Sequence, residues 1–106
     1  MSAMMRVHSV LNLSPEAMQS FCRKNRIRRL SLFGSALRGE LRPGSDIDIL
    51  VEFEPEQEPT LIGLSNMELE LSDGVGRPVD MRTPEDLSRY FREEVMAAAE
   101  VLYEQK

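Results

Sequence analysis

The chain is poor in the residues from which many metal sites and scaffolds are built. Its 106 residues include one cysteine, one histidine and no tryptophan. The single cysteine, Cys22, excludes an internal disulfide and a cysteine-rich zinc site. The single histidine, His8, leaves little for a metal site built on imidazole ligands. The sequence therefore gives no support to a disulfide scaffold or to a zinc centre of the common kinds.

Long apolar runs and excess positive charge are also missing. No stretch of 18 or more apolar residues occurs, so we expect no membrane span. The start of the chain lacks the apolar core of an export signal, so we expect a cytoplasmic protein. The net charge is −5, from 13 basic and 18 acidic residues, which argues against a general nucleic-acid binder. The charge is uneven, because residues 1–50 carry +4 and residues 51–106 carry −9.

What the chain does have is the composition of a small globular domain. Apolar residues make up 42% of it and charged residues 29%. A chain of 106 residues is long enough for one domain with a modest core. We expect residues 1–12 to be an N-terminal extension and residues 13–106 to form a single domain.

Capping signals and apolar spacing predict the helices. Ser14-Pro15-Glu16 combines a hydroxyl N-cap, a proline and an acid, and predicts a helix to about Asn25. Helical spacing predicts a second helix over residues 60–72, ended by Asp73-Gly74. Thr83-Pro84 predicts the start of a C-terminal amphipathic helix or pair of helices. Its apolar stripe consists of Leu87, Phe91, Val95, Ala98 and Leu102.

Short apolar or alternating segments predict three strands. They lie at residues 30–33, 46–53 and 78–82. A helical turn over residues 36–39 and a turn over residues 42–45 separate the first two strands, and an acidic loop with two prolines, residues 54–59, comes after the second. This order of elements predicts an α/β (α+β) fold in which a small sheet packs against helices.

A phosphate-binding loop is indicated where the first strand ends. Gly34-Ser35 comes directly after that strand and precedes the predicted helical turn. Glycine lets the backbone approach an anion closely, free N–H groups at a helix start point toward the anion, and the serine hydroxyl adds a donor. The dipeptide alone is a weak signal, so its weight depends on the residues downstream of it.

Aspartates on two predicted strands strengthen the signal. Asp46 and Asp48 are two residues apart, so both carboxylates project from one face of a strand. Neighbouring carboxylates repel each other unless a cation lies between them, and Mg²⁺ prefers such oxygen ligands. If the strand of Asp80 pairs beside that of Asp48, three carboxylates converge and could serve phosphoryl or nucleotidyl transfer. Asp80 could also accept the proton of the attacking hydroxyl.

The complete pattern resembles a known superfamily. Gly34-Ser35 followed after ten residues by Asp46-Ile47-Asp48 is similar to the signature of the DNA polymerase β-like nucleotidyltransferases. More narrowly, it resembles that of the minimal nucleotidyltransferases of prokaryotes. Residues 77–87, around Asp80, resemble that family's third-carboxylate strand and the start of its last helix. The resemblance covers roughly residues 12–104 and implies a small mixed sheet.

The resemblance implies a site and a reaction. Gly34 and Ser35 would hold the nucleotide triphosphate. Asp46, Asp48 and Asp80 would bind one or two Mg²⁺ ions, and Asp80 would also act as the base. The reaction would move a nucleoside monophosphate, AMP from ATP or another nucleoside triphosphate, onto a protein hydroxyl. Minimal members of the family are often antitoxins encoded beside a helical HEPN-domain toxin, so a toxin of that kind is the expected partner.

Size gives a second reason to expect a protein partner. A pocket for a nucleotide and an acceptor needs walls. Once the predicted strands and helices are assigned, the 106 residues leave nothing for a second lobe. A partner that is itself the substrate would supply the missing wall.

Other interpretations stay open. The chain could neutralise a toxin by binding alone, or it could transfer nucleotides to RNA or to a small molecule. Tyr90, Met96 and Tyr103 lie off the main line of the C-terminal stripe, so they either complete the core or form a patch for a partner or a homo-oligomer. We expect no membrane partner and, apart from the RNA alternative, no nucleic-acid partner.

Overall fold

The computed structural model describes residues 13–34 and 46–105, which form a mixed four-stranded sheet with helices. The helices are α1 (Pro15–Lys24), α2 (Leu61–Val75) and α3 (Arg92–Ala98), with a 3₁₀ turn at Pro84–Asp86. The strands are β1 (Ile27–Phe33), β2 (Ile47–Phe53), β3 (Val79–Arg82) and β4 (Glu100–Glu104). The predicted mixed α/β class is confirmed. No helix in these two segments is long and apolar enough to cross a membrane.

The sheet has the order β3-β2-β1-β4. The strand β1 runs antiparallel to both of its neighbours, β2 and β4. The strands β2 and β3 are parallel, and α2 is the crossover between them. Parallel neighbours need a crossover connection of this kind, since a tight turn reverses the chain. The end of β1 and the starts of β2 and β3 therefore meet at one end of the sheet.

Local capping explains where the first two helices begin. The Ser14 hydroxyl oxygen accepts a hydrogen bond from the Ala17 N–H at 3.1 Å, which confirms the predicted N-cap of α1. The Thr60 hydroxyl does the same for the Gly63 N–H at 3.1 Å, at the start of α2. Each side chain satisfies one of the backbone donors that a helix start leaves unpaired.

The predicted end of α2 at Asp73-Gly74 is wrong. The helix continues through Gly74 to Val75, and Gly76 ends it in the left-handed conformation, with φ 77°. Val75 is only 5% exposed, so the extra turn buries another apolar side chain. That burial offsets the cost of about 1 kcal/mol that a glycine brings inside a helix.

The prediction of an amphipathic helix or helix pair over the whole C-terminal region is also wrong. After the 3₁₀ turn, α3 spans only seven residues, and β4 comes after it. Leu102 and Tyr103 are adjacent and both buried in β4, an arrangement produced by an irregular register against Leu30 and Ser31. Pairing β4 with β1 satisfies backbone groups that would otherwise line a bare sheet edge. The hydrogen bonds that β4 gains from distant β1 therefore outweigh the preference for a helix that the local apolar spacing indicates.

The core lies between one face of the sheet and helices α1 and α2. On β2, the residues that enter it are Ile47, Ile49, Val51 and Phe53. Cys22 of α1 is fully buried among them, and burial raises the pKa of its thiol to about 12. Because side chains alternate along a strand, Asp48 and Glu52 project from the opposite face.

We predict that Leu102→Ala will lower the free energy of unfolding by about 2–5 kcal/mol, because it leaves a cavity in the core. Leu61→Ala removes the same atoms from a side chain that is 84% exposed, against 0% for Leu102. This control should cost less than about 0.5 kcal/mol. Urea unfolding followed by circular dichroism measures both. Equal, small losses would contradict the placement of Leu102 in a buried strand.

Candidate active site

The candidate site lies where β2 and β3 begin, on the sheet face opposite the core. In the parallel pairing of these strands, Asp48 stands directly beside Asp80. The Ile47 N–H donates to the Pro78 carbonyl oxygen at 2.9 Å and starts this register. Neighbouring strands lie about 4.8 Å apart, so the two carboxylates belong to one patch of surface. The structure thus brings together two residues that are 32 positions apart in the sequence.

Asp46 lies immediately before β2 and is exposed to solvent. It is two residues from Asp48, and the alternation of side chains along an extended chain directs both toward the same side. Unlike Asp48 and Asp80, it has no partner in the strand pairing of the described residues. Asp46 therefore flanks the pair of carboxylates from the end of the sheet.

Gly34 ends β1 against the Asp48 carboxylate. Its φ is 75°, in the left-handed region that favours glycine. A Cβ atom placed on Gly34 would meet Asp48 Oδ2, with Asp48 Cγ at 3.1 Å and Asp48 Cβ at 3.2 Å. The pairing of Phe33 with Asp48 causes this approach. Both the backbone angle and the limited space at this position favour a residue without a side chain.

Part of the predicted phosphate-binding loop lies outside the described residues. This holds for Ser35, for the helical turn predicted over residues 36–39 and for the turn predicted over residues 42–45. Of the two nucleotide-binding candidates, the structure therefore places Gly34 alone. The roles of Gly34 and Ser35 toward a nucleotide stay predictions.

The Asp80 carboxylate has a partner that sequence reasoning missed. Its Oδ2 accepts hydrogen bonds from Arg82 Nε at 3.3 Å and from Arg82 Nη2 at 3.2 Å. Both side chains are partly exposed, so this ion pair contributes less than about 1 kcal/mol to stability. The i, i+2 spacing of Asp80 and Arg82 on a predicted strand was the signal that could have indicated it.

Two side chains of α2 hold the outer edge of β3, and they too were missed. The Ser72 hydroxyl oxygen accepts a hydrogen bond from the Val79 N–H at 2.9 Å. A carboxylate oxygen of Glu68 accepts one from the Met81 N–H at 2.7 Å. These bonds flank Asp80 in the sequence. No local pattern reveals them, since they depend on how α2 packs beside β3.

The donor chemistry fits a divalent cation such as Mg²⁺. Asp46, Asp48 and Asp80 offer only carboxylate oxygens, which are the ligands this ion prefers. Gly34 leaves room for the Asp48 carboxylate, and the strand register sets Asp80 beside it. Within residues 13–34 and 46–105, no three His, Cys, Asp or Glu side chains lie close enough together to hold a metal. Asp80 would have to exchange its Arg82 contact for the ion.

A shallow cavity lies at the other end of β2 and contains none of the candidate residues. Its volume is about 130 Å³, and its charged lining comprises Arg28, Glu52, Glu58 and Glu85. Arg28 Nη2 contacts a Glu52 carboxylate oxygen at 3.3 Å.

The strand β1 begins at Ile27, so the predicted start at residue 30 is too late. The prediction missed these positions because two of them hold arginines, Arg28 and Arg29, which pair with Glu52 of β2.

The residues that lie off the C-terminal stripe divide between core and surface. Tyr103 is buried in β4, at 7% exposure, and Met96 of α3 is half-buried. Tyr90 is 79% exposed, and Phe91, which belongs to the predicted stripe, is also 59% exposed. The turn before α3 therefore presents two aromatic side chains to solvent.

Comparison with known proteins gives a consistent result. A family model described as "Nucleotidyltransferase domain" matches residues 15–102. A protein of Methanocaldococcus jannaschii with the provisional name protein adenylyltransferase is 34% identical over 76 residues, which are 72% of this chain and 80% of that protein.

Solved structures agree with this match. A structure described as a minimal nucleotidyltransferase is 37% identical, with a TM-score of 0.67, over 79% of this chain and 84% of that one. The complex of a tri-AMPylated Shewanella oneidensis HEPN toxin with its MNT antitoxin includes a chain that is 20% identical, with a TM-score of 0.62, over 85% of this chain and 69% of that one. At this identity the second likeness shows the fold alone.

Two glycine substitutions separate backbone strain from crowding at the site. Gly34 and Gly76 have nearly the same φ, 75° and 77°, but nothing lies within 4 Å of a Cβ at Gly76. We predict that Gly76→Ala will cost about 1–2 kcal/mol of unfolding free energy, because alanine is strained in the left-handed backbone. Gly34→Ala should cost more, because its methyl group also displaces the Asp48 carboxylate.

Urea unfolding measures the two costs, and NMR shifts of the Asp48 side chain report the displacement. Equal costs, with unchanged Asp48 shifts in Gly34→Ala, would contradict the close approach of Gly34 to that carboxylate.

Proposed function

Because the chain belongs to the nucleotidyltransferase domain family, we propose that it moves AMP from ATP onto a hydroxyl of a partner protein and releases pyrophosphate. The observation that carries this proposal is the register of β2 and β3, which pairs Asp48 with Asp80 while Gly34 stands against Asp48. We take residues 13–106 as one catalytic domain and residues 1–12 as an extension of it. Support for the protein acceptor comes from the M. jannaschii relative, whose provisional name specifies protein adenylyl transfer.

Each candidate residue has a role in this proposal. Gly34 and Ser35 hold the phosphates of the nucleotide, through a backbone without a side chain and through a hydroxyl donor. Asp46, Asp48 and Asp80 hold one or two Mg²⁺ ions. When bound, Mg²⁺ neutralises negative charge on the triphosphate and favours ionisation of the attacking hydroxyl. The three carboxylates would hold the cation at the end of the sheet where Gly34 meets Asp48.

The proposed step is a single displacement at the α-phosphorus. The acceptor hydroxyl oxygen forms a bond to that phosphorus while the bond to the bridging oxygen of pyrophosphate breaks, and pyrophosphate leaves with the electron pair. The hydroxyl proton passes to the Asp80 carboxylate, which acts as general base. Asp80 suits this role because it stands beside Asp48 and is partly exposed, so an acceptor side chain can approach it.

We propose a HEPN-domain toxin as the acceptor protein and an antitoxin role for this chain. The similar fold in the S. oneidensis complex belongs to a structure in which an MNT antitoxin is bound to an AMPylated HEPN toxin. At the end of the sheet where β2 and β3 begin, Asp46 is exposed and the Asp80 side chain is 35% exposed, so a partner can reach them there. Tyr90 and Phe91, in the turn before α3, offer exposed aromatic side chains that a partner could also contact.

A second candidate function is neutralisation of the toxin by binding alone. The observation that favours it is the ion pair between Asp80 and Arg82, together with the lack of a three-carboxylate cluster in the described residues. If that pair persists when a nucleotide binds, Asp80 serves neither a metal nor a proton. The two functions differ in whether the partner becomes modified.

Intact-mass analysis of the partner after incubation with this chain, Mg²⁺ and ATP tests the proposal. The partner to use is the protein encoded beside this one. We predict an AMP adduct whose rate of formation falls about 10²- to 10⁴-fold in Asp80→Asn, because the general base is lost. The rate of adduct formation should fall in Asp48→Asn as well. Asp73→Asn makes the same chemical change on the exposed side of α2 and should leave the rate unchanged.

An unmodified partner with every nucleoside triphosphate would refute catalysis. If the Asp48→Asn/Asp80→Asn double variant then still neutralised the toxin without ATP or Mg²⁺, binding alone would be the function. An adduct found on RNA instead of protein would replace the proposed acceptor.

A further inference from the structure

The strand that carries Asp80 is short and makes few backbone hydrogen bonds within the sheet. β3 has four residues and lies at the edge of the sheet, with β2 as its single neighbour among the strands that the structure describes. A shift of one residue in its register would turn Asp80 from the site face to the core face, since side chains alternate with a period of two. The position of Asp80 therefore depends on whatever fixes β3 along its length.

Two backbone donors of β3 point away from β2. Pro78 faces β2, since its carbonyl oxygen accepts from the Ile47 N–H at 2.9 Å. Backbone groups alternate in direction along a strand, so the N–H groups of Val79 and Met81 point away from β2. At a bare edge these two donors would face solvent and leave β3 fixed from one side only.

Two acceptors on α2 match those two donors. Ser72 Oγ accepts from the Val79 N–H at 2.9 Å and Glu68 Oε2 accepts from the Met81 N–H at 2.7 Å. One helical turn separates Glu68 from Ser72, a rise of about 6 Å. Two strand residues rise about 6.6 Å, so the acceptors have the spacing of the donors. A slip of β3 by one residue would break both bonds.

Glu68 is the stronger of the two contacts. A hydrogen bond to a carboxylate is shorter and about twice as strong as a bond between neutral groups. Its partner, Met81, is 3% exposed, so water cannot easily replace the carboxylate there. The neighbouring acid Glu70 lies on the same helix but pairs with Lys24 of α1, away from β3.

We propose that Glu68 and Ser72 are positioning residues for Asp80, which they serve by fixing the register of β3 against β2. This inference rests on the proposed function, because it takes Asp80 as a metal ligand and base. Neither side chain needs to touch the nucleotide or the ion. Their contribution is to keep Asp80 beside Asp48 while substrate and partner exchange.

The test compares variants that differ in one acceptor. Glu68→Leu removes the acceptor for Met81, whereas Glu68→Gln keeps a carbonyl oxygen that can accept the same bond. Glu70→Leu removes a carboxylate from the same helix without affecting β3 and is the matched control. Ser72→Ala is a milder change at the other contact and serves if Glu68→Leu does not fold.

Two readouts do not require catalysis. The first is hydrogen exchange of the Met81 amide, which should become at least tenfold faster in Glu68→Leu. The second is the affinity for Mn²⁺ in the absence of nucleotide, followed by paramagnetic broadening of NMR signals. We predict a loss of affinity of about tenfold in Glu68→Leu, the usual size of an effect transmitted through a residue that orients a ligand. Ser72→Ala should show a smaller loss, and Glu68→Gln and Glu70→Leu should stay within twofold of the unaltered protein.

Transfer assays on the same variants complete the test. We predict that kcat for AMP transfer will fall in Glu68→Leu, with KM for ATP changed much less, and that Glu68→Gln will restore it. If Glu68→Leu speeds exchange at Met81 but keeps full Mn²⁺ affinity and kcat, the contact is structural only and the inference is overturned. If Asp80→Asn itself leaves Mn²⁺ affinity unchanged, the assignment of Asp80 fails, and with it both proposals.

Discussion

The parallel pairing of β2 with β3 is the interaction on which the candidate site depends. It sets Asp48 beside Asp80, although the two residues come from strands separated by a loop and by all of α2. Its energetic basis is slight, since β3 contributes four residues at a sheet edge. The packing of α2 therefore does two things at once. It buries Met67, Leu71 and Val75 in the core and supplies acceptors for the outer edge of β3. The stability of the domain and the geometry of the site therefore both depend on α2.

The antiparallel pairing of β1 with β2 supplies the other half of the site. Because β1 runs against β2, its last residue, Phe33, meets Asp48 at the start of β2. Gly34 comes next with a left-handed backbone and no side chain, and the chain continues toward the predicted phosphate-binding residues. A sheet that is antiparallel on one side of β2 and parallel on the other is what gathers these three strand ends. Two carboxylates and a bare backbone thereby share one end of a rigid scaffold, which is a suitable arrangement for a cation with a phosphate.

Sequence reasoning succeeds here where the relevant contact is local or written into a spacing. The Ser14 hydroxyl caps a backbone N–H only three residues away, and the alternation of β2 can be recognised from the residues of that strand alone. The candidate carboxylates could be found because their spacing from Gly34-Ser35 resembles a known signature. Leu102 was misassigned to a helix because its distance from Leu87 fits a helical period, while the reason for β4 is the open edge of distant β1. Glu68 was missed for a similar reason, because its relevance to Asp80 comes from the packing of α2 beside β3, and no run of neighbouring residues carries that information. Arg82 is a different case, since its i, i+2 spacing from Asp80 on a predicted strand is present in the sequence.

The most direct test of this account is a double-mutant cycle on Mn²⁺ affinity with Asp48→Asn, Asp80→Asn and the double variant, without nucleotide. If the strand register makes the two carboxylates one site, each single variant loses most of the binding. The double variant then loses far less than the two single losses combined, with a coupling free energy of about 1 kcal/mol or more. Losses that add within about 0.5 kcal/mol would show that Asp48 and Asp80 act independently, and would contradict the account.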